Sequence, residues 1–376
     1  MRKDVVAMVL VGGRGTRLGP ITKYKAKPAV TFGGKYKLID FVLSNLSHAF
    51  IDTVGIVTQY EPHALMDYIQ RGSSWDLDVS DGGIHFLTPY TSFEGDKWQK
   101  GTAHAVAQHI RFIDMYKPKH VLILSGDHVY KMQYEKLIHT HEESDADVTI
   151  AVFKPHDDLS RYGVLDLDQN NHIIDFEEKP DNPKSDYASM GIYVFKTRVL
   201  NEMLGNNFNH ANDFGKNIIP KALAENYHVH GYVFNDYFRD VGTIQSLYDA
   251  NMDLLDHPEY LKLHDYKTQP LYTKTENLPP HHNMASDAVT NALISDGVLI
   301  MGRVHHSVLS SNVTIKAHAF VQDSVIFSNV TVGEHSEIKN CIVLEGTYIL
   351  PRTKLVFDDV TVIDNETLWA MGGKRS

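Results

Sequence analysis

Cysteine is nearly missing from this chain: Cys341 is the only one in 376 residues. A single thiol makes no disulfide framework and no thiolate metal cluster, which fits a reducing compartment, the cytoplasm. Long apolar runs are missing as well. None approaches the ~20 residues that span a bilayer, so no membrane partner is expected. The N-terminal MRKDVVAMVLVGG has the outline of a secretion signal. Its apolar run is short, Asp4 interrupts the start and no small-residue cleavage site follows, so it reads as a first buried strand. The third absence is a basic excess. The formal charge is −11, from 36 Lys+Arg against 47 Asp+Glu, which leaves nothing to neutralise a nucleic-acid backbone and excludes that partner. A small anion held by a few local cations stays open.

What is present is an ordinary globular composition, 43% hydrophobic and 22% charged, long enough for two or three domains. Residues 1–255 alternate apolar strands with helical patterns. VVAMVLV (5–11), TVGIVTQ (53–59), HVLILSGD (120–127) and DVTIAVF (147–153) read as strands, and 39–49 and 102–116 as helices. Continuous Val/Ile/Leu runs belong to strands covered on both faces. Their alternation with helices predicts an α/β fold with a Rossmann-like, mostly parallel sheet. Ligands of such sheets sit at the carboxyl ends of the strands, where the glycine-rich segment after 5–11 and the SGD after 120 both fall. The rhythm is lost over 256–290, where prolines 258, 270, 279 and 280 mark a surface linker.

From 291 to 376 apolar residues recur every six positions: Ile294 and Ile300; Ile315, Val321 and Phe327; then Val332, Ile338, Leu344, Leu350, Val356 and Val362. A hexad period marks a parallel β-helix with the aliphatic residue of each hexad inside. The slip between 327 and 332 predicts one shortened turn.

GGRGTRLG (12–19) is neither GxxxxGK[ST] nor GxGxxG, so two common phosphate loops are excluded. Glycines let backbone approach a guest closely, the N–H groups of 12–16 suit a triphosphate, and Arg17 and Lys27 suit a departing pyrophosphate. A tight strand–helix turn with solvated charges reads equally well from this segment alone.

The longer run GGRGTRLGPITKYKAKPAV, continued by FGGKYKLIDFVLSN, resembles the sugar-nucleotide pyrophosphorylases, most closely the bacterial glucose-1-phosphate adenylyltransferases. The similarity continues, in order, through TQY (58–60), WQKGTAHAV (98–106), LSGDHVYKM (124–132), RYGVLDLD (161–168), FEEKPDNP (176–183), ASMGIYVF (188–195), NDFGKNIIP (212–220) and YFRDVGT (237–243). The resemblance implies a nucleotidyltransferase domain followed by a left-handed parallel β-helix. It implies transfer of the adenylyl group of ATP to glucose 1-phosphate, giving ADP-glucose and pyrophosphate for α-glucan synthesis, in a homotetramer or in a heterotetramer with a homologous regulatory subunit.

A phosphate monoester is mostly dianionic at pH 7, its second pKa being ~6, so the attacking oxygen needs no general base. Cations and a metal must instead hold two polyanions together. The resemblance assigns Arg17, Lys27, Asp127 and Lys179 to catalysis, and Asp127 and Asp240 to Mg²⁺, an ion that favours few carboxylates plus phosphate oxygens. An Asp after a strand also reads as a turn or helix cap. Leu10, Gly12, Gly13, Gly15, Thr16, Gln59, Gly101 and Thr102 are carried over as nucleotide-binding residues. Gln99, Gly163, Glu178, Lys179, Ser189 and Gly191 are carried over to glucose 1-phosphate, although EEKP (177–180) alone reads also as a charged turn. Trp98 stiffens the adjoining loop or is an ordinary packed aromatic.

Three positions depart from the family pattern. Gln99 stands where an aromatic, commonly Tyr, follows the tryptophan. Val11 replaces a small residue before the glycines. Tyr24 stands where activator-responsive members carry a lysine, while Lys23 and Lys25 keep an anion effector site open. These departures leave two alternatives: a regulatory subunit without turnover, and a transferase of another nucleotide. The 22 histidines form no HExxH; most read as surface residues, His281–His282 and His305–His306 fall outside the site, and His128 beside Asp127 is not taken as a ligand.

Overall fold

The computed structural model describes the chain apart from residues 1, 2, 14, 60, 61, 90, 93, 94, 97–100, 156, 157, 206–211, 264, 266, 285–287 and 373–376, and the side chains of 91, 92, 95, 96 and 372. The chain divides into two units. One comprises Met1–Gly13, Phe41–Gly126 and Tyr130–Phe238; the other Arg14–Asp40, Asp127–Val129 and Arg239–Ser376.

The first unit is built on a nine-stranded sheet: β1 (Val5–Leu10), β2 (Thr53–Val57), β3 (Gly83–Leu87), β4 (His120–Ser125), β5 (Val148–Phe153), β6 (Gly163–Leu167), β7 (Ile173–Glu178), β8 (Tyr187–Lys196) and β9 (Val229–Val233). β3, β2, β1 and β4 lie side by side and parallel, as their Val/Ile/Leu runs require. β8 returns antiparallel beside β4. It carries an arm that the sequence pattern did not separate from the rest: the β6–β7 hairpin on one side, and β5 with its parallel neighbour β9 on the other. Val6, Met8, Ile123, Phe195 and Phe214 lie in the core. The helices form at Leu38–His48 and, for the second expected span, as two pieces, Thr102–Gln108 and Ile110–Tyr116, broken at His109.

Register defines one edge of this sheet. Leu10 faces Val57 on one side and Ser125 on the other, and Val57 faces Leu87. The four parallel strands therefore end level, and the chain leaves each of them at the edge where α/β sheets hold ligands. Gly126, just past β4, donates its N–H to Leu10 O at 3.0 Å, and Val11 donates to Val57 O at 3.0 Å.

The second unit ends in a stack of parallel strands in two sheets, which starts at His282–Asn283 and finishes at Lys354–Ile363. Val304, Val321, Ile338 and Leu355 are successive partners, 17 residues apart. Left-handed backbone recurs at His306, Asn312 and His318, at Asp323, Asn329 and His335, and at Asn340, Gly346 and Arg352, in steps of 6, 6 and 5. Three left-handed corners per coil make a triangular left-handed β-helix. Asn and Asp tolerate that conformation, which explains their place at several corners. The interior is a set of aliphatic columns, among them Ile300, Ile315, Val332 and Ile349.

The expected strict hexad is corrected by this geometry. The slip at 327–332 is not one shortened turn, because each coil between His306 and Asn340 has one side five residues long. A pure six-residue count therefore drifts outward by one residue per coil. Val343, Ile349 and Leu355 are buried, whereas the expected Leu350 and Val356 are exposed.

Candidate active site

The loop after β1 is shaped by its glycines. Gly12 and Gly13 follow the strand, and a side chain at Gly13 would meet nothing within 4 Å, so its backbone faces open space. Gly15 adopts φ 61°, which glycine reaches without the clash of a Cβ. Its carbonyl accepts from Leu18 N–H at 2.8 Å and from Thr22 Oγ1 at 2.9 Å, closing the loop onto the short helical segment Thr16–Thr22, kinked at Gly19, that includes Arg17. Lys27 opens the next short helix with Pro28 behind it, where a missing N–H does no harm.

Lys27 is the centre of a buried charge cluster. Its Nζ lies 2.9 Å from Asp127 Oδ2 and 2.9 Å from Asp240 Oδ1, and the lysine is only 5% exposed. Asp127 follows the end of β4. Asp240 ends the strand Phe238–Asp240, and its carbonyl is held by Ser246 Oγ at 2.6 Å. His128 Nε2 stands 3.5 Å from Asp127 and 3.8 Å from Asp240. A Cβ on Gly242 would lie 2.8 Å from Arg17 Nη2 and 3.1 Å from an Asp240 oxygen, so Arg17 reaches the same corner. Burial pushes the Asp240 carboxyl up, but the His128 and Lys27 charges outweigh it and hold the group below its ordinary value. Burial likewise opposes the Lys27 charge, and the two carboxylates overcome it and raise that group. Two carboxylates converging on one cationic point are a hard-oxygen donor pair, the kind that suits a divalent ion shared with phosphates.

The residues expected at the sugar lie in the first unit. Glu178 ends β7 opposite Gly163 of β6, and Lys179 follows with φ 53°, its N–H donated to Tyr162 O at 3.0 Å. Its Nζ is 3.2 Å from Glu178 Oε1. A Cβ at Gly163 would come within 2.9 Å of Glu178 Oε2, and one at Gly215 within 2.3 Å, so these two glycines leave the space that the carboxylate fills. Ser189 and Gly191 sit on β8 at an irregularity in its pairing with β5. Gly191 takes φ 69° there and donates its N–H to Ser189 Oγ at 3.1 Å.

Thr102 starts its helix. Its Oγ1 donates to Asp213 Oδ2 at 3.0 Å and accepts from Phe214 N–H at 3.1 Å. A Cβ at Gly101 would strike Asn212 O at 2.3 Å. Asp213 and Gly215 fall within NDFGKNIIP, a motif whose residues carry no assigned role in the sequence reading. Asp213 caps the turn Phe214–Ile218 through Lys216 N–H, and holds Thr102. Gln59 lies just past β2, at the level edge. Trp98 and Gln99 lie outside the described residues, as does Arg14.

Lys23 and Lys25 are paired with Glu366 at 2.8 Å and Glu345 at 3.2 Å, and Tyr24 between them is exposed. Histidines are less superficial than expected: His104, His109, His120, His141 and His230 are buried, and His306 bridges Asp256 and Asp323 at 3.1 and 2.8 Å.

Residues 6–257 match the family model described as nucleotidyl transferase, and residues 279–365 match a GlmU-like C-terminal hexapeptide model. The chain is 48% identical over 324 residues to a glucose-1-phosphate adenylyltransferase of Clostridioides difficile, covering 84% of this chain and 83% of that one. It is 47% identical over 318 residues to one of Clostridium acetobutylicum, with coverage of 84% and 83%. It is 47% identical over 327 residues to one of Fusobacterium nucleatum, with coverage of 86% and 85%. A glycine loop at the level ends of a parallel sheet, an acid pair gathered on one lysine, a hexapeptide coil and these relatives agree: the chain belongs to the nucleotidyl transferase family, among the glucose-1-phosphate adenylyltransferases.

Proposed function

We propose that the chain transfers the adenylyl group of ATP to α-D-glucose 1-phosphate, giving ADP-glucose and pyrophosphate for α-glucan synthesis. The observation that carries the catalytic reading is Lys27 held 2.9 Å from both Asp127 and Asp240. A chain without turnover has no need to bury such a cluster, since desolvating three charges is expensive. The retained Arg17 and Lys179 support the same reading.

A phosphate oxygen of glucose 1-phosphate attacks the α-phosphorus, the bond from that phosphorus to the bridging oxygen breaks, and pyrophosphate leaves with the electron pair. The backbone of Leu10, Gly12, Gly13, Gly15 and Thr16 lines the triphosphate, while Gln59, Gly101 and Thr102 position the adenine nucleoside. Arg17 and Lys27 stabilise the charge that grows on the leaving group. Glu178 accepts from sugar hydroxyls, Lys179 holds the sugar phosphate, and Gly163, Ser189, Gly191 and Gln99 complete that pocket. Asp127 and Asp240 are the groups that would hold a divalent ion, Mg²⁺ by their hardness, and such an ion when bound neutralises phosphate charge. Residues 1–255 carry the chemistry and 256–290 leads to the C-terminal part, 291–376, although the coil itself already starts at His282–Asn283 and ends at Ile363, before the last helix. A cytoplasmic setting, where ATP and sugar phosphates meet, goes with this reaction. Exposed Tyr348, Leu350 and Trp369 support assembly through the C-terminal part, into a tetramer of this chain or with a homologous regulatory one.

The test is pyrophosphate release by the purified chain with Mg²⁺, glucose 1-phosphate and each of ATP, UTP, dTTP and GTP. Release with ATP alone is the expected result. Release with another nucleotide overturns the adenylyl assignment, and silence with all four overturns the catalytic one. Asp127→Asn should lower kcat at least ~10²-fold, as loss of one electrostatic group at a reacting phosphate does, while the chain remains folded. Lys179→Ala should mainly raise the KM for glucose 1-phosphate.

A further inference from the structure

Outside that site, three histidines converge in the first unit. Ring nitrogens of His172, His228 and His230 all lie within 4.8 Å of one another. His172 closes the turn between β6 and β7, His228 precedes β9 and His230 lies within it. The backbone fixes their spacing: His172 and His230 form a β-bridge, and Gly231 donates its N–H to Asn171 O at 2.8 Å. Nitrogens on a triangle of side 4.8 Å stand at most about 2.8 Å from its centre. Small ring rotations bring that to the ~2.0–2.1 Å of a zinc–imidazole bond.

Two further observations point to a metal ion. The buried His228 Nε2 and His230 Nδ1 have no hydrogen-bond partner among the described residues. Orphaned polar atoms of this kind call for an explanation, and one ion satisfies both. His172 Nδ1 lies 3.1 Å from Asp168 Oδ2. A carboxylate behind a ring nitrogen orients a metal-binding imidazole and leaves Nε2 as the donor. The His172 side chain is 43% exposed, which gives an entry path and an open coordination position.

We propose that His172, His228 and His230 bind one divalent late-transition-metal ion, zinc by ligand type, with Asp168 orienting His172. The site is structural. β7 runs six residues from His172 to Glu178, which at ~3.3 Å per residue puts the histidines roughly 20 Å from the sugar end of that strand. The ion ties the β6–β7 turn to β9, so it raises thermal stability and takes no part in adenylyl transfer.

The test uses the full chain without a polyhistidine tag, in millimolar Mg²⁺ to mask the carboxylate pair. Titration calorimetry with Zn²⁺, and Co²⁺ absorption spectra, should show one high-affinity ion per chain, with a higher melting temperature. His172→Ala, at a half-exposed turn and so safe for folding, should weaken binding at least ~10-fold, the range for loss of a partner at a metal site, and remove the melting shift. His230→Gln should do the same, while the exposed His281→Ala/His282→Ala pair should change neither. Absence of a one-to-one site for either metal overturns the proposal. So does a site that survives both His172→Ala and His230→Gln.

Discussion

Single positions show two kinds of glycine constraint, and they predict different failures. At Gly215 an added methyl meets the far end of Glu178, 2.3 Å from Oε2. That carboxylate can swing away, so Gly215→Ala should fold and raise the KM for glucose 1-phosphate in steady-state assays. At Gly101 the methyl meets the backbone carbonyl of Asn212 at 2.3 Å, which cannot. Gly101→Ala should destabilise by ~1–3 kcal/mol, the usual range for overpacking, measured by urea unfolding. Asp240 predicts a pH effect. Its folded pKa is held below the unfolded value of ~3.9 once the His128 and Lys27 charges outweigh its burial. Its contribution to stability is therefore complete above pH ~4 and is lost as pH falls through the folded value. The stability gap between the parent and Asp240→Asn should close in that acid range. Asp127, Lys27 and Asp240 were legible through their motifs, but their convergence was not, since the acids stand far apart in the chain. The histidine triad was not legible at all: HVH at 228–230 looks like any alternating strand until the turn at 172 is placed beside it.

For the elements, the parallel strands were readable because burial on both faces leaves an uninterrupted apolar run. The antiparallel arm was not, because β6, β7 and β9 are short and mixed in character. The coil gave a partial reading. Its hexads are real, but a five-residue side hides within a six-residue count until the corners are seen. The two registers make opposite predictions. Ile349 is fully buried and Leu350 is 65% exposed. Ile349→Ala should cost ~2–5 kcal/mol, whereas Leu350→Ala should stay within ~0.5 kcal/mol, both read from thermal melts. Equal losses would restore the strict hexad. At the corners, Asn329 at φ 62° should accept Gly and resist Val, since a β-branched side chain is strained there.

Across the whole molecule, the acidic balance and the single buried thiol set broad limits, and among the described residues no helix is long and apolar enough to cross a membrane. Composition said nothing of assembly. The exposed aromatic Trp369, 83% accessible, lies on the last helix, Asn365–Gly372. If the C-terminal part mediates association, Trp369→Glu should lower the mass measured by light scattering while leaving the melt of the coil unchanged. Lys23–Glu366 and Lys25–Glu345 are exposed or half-exposed pairs screened by solvent, so they are weak clasps that a competing anion can open.

The repeating corners also make the C-terminal part a ruler. Each block of 17 residues carries its own three turns and its own inward aliphatics, so length is written in whole blocks. Duplicating one, such as 323–339, would carry everything after it outward by one strand spacing, about 4.8 Å. Deleting a single residue within such a block would put polar side chains in the prism and aliphatic ones in water.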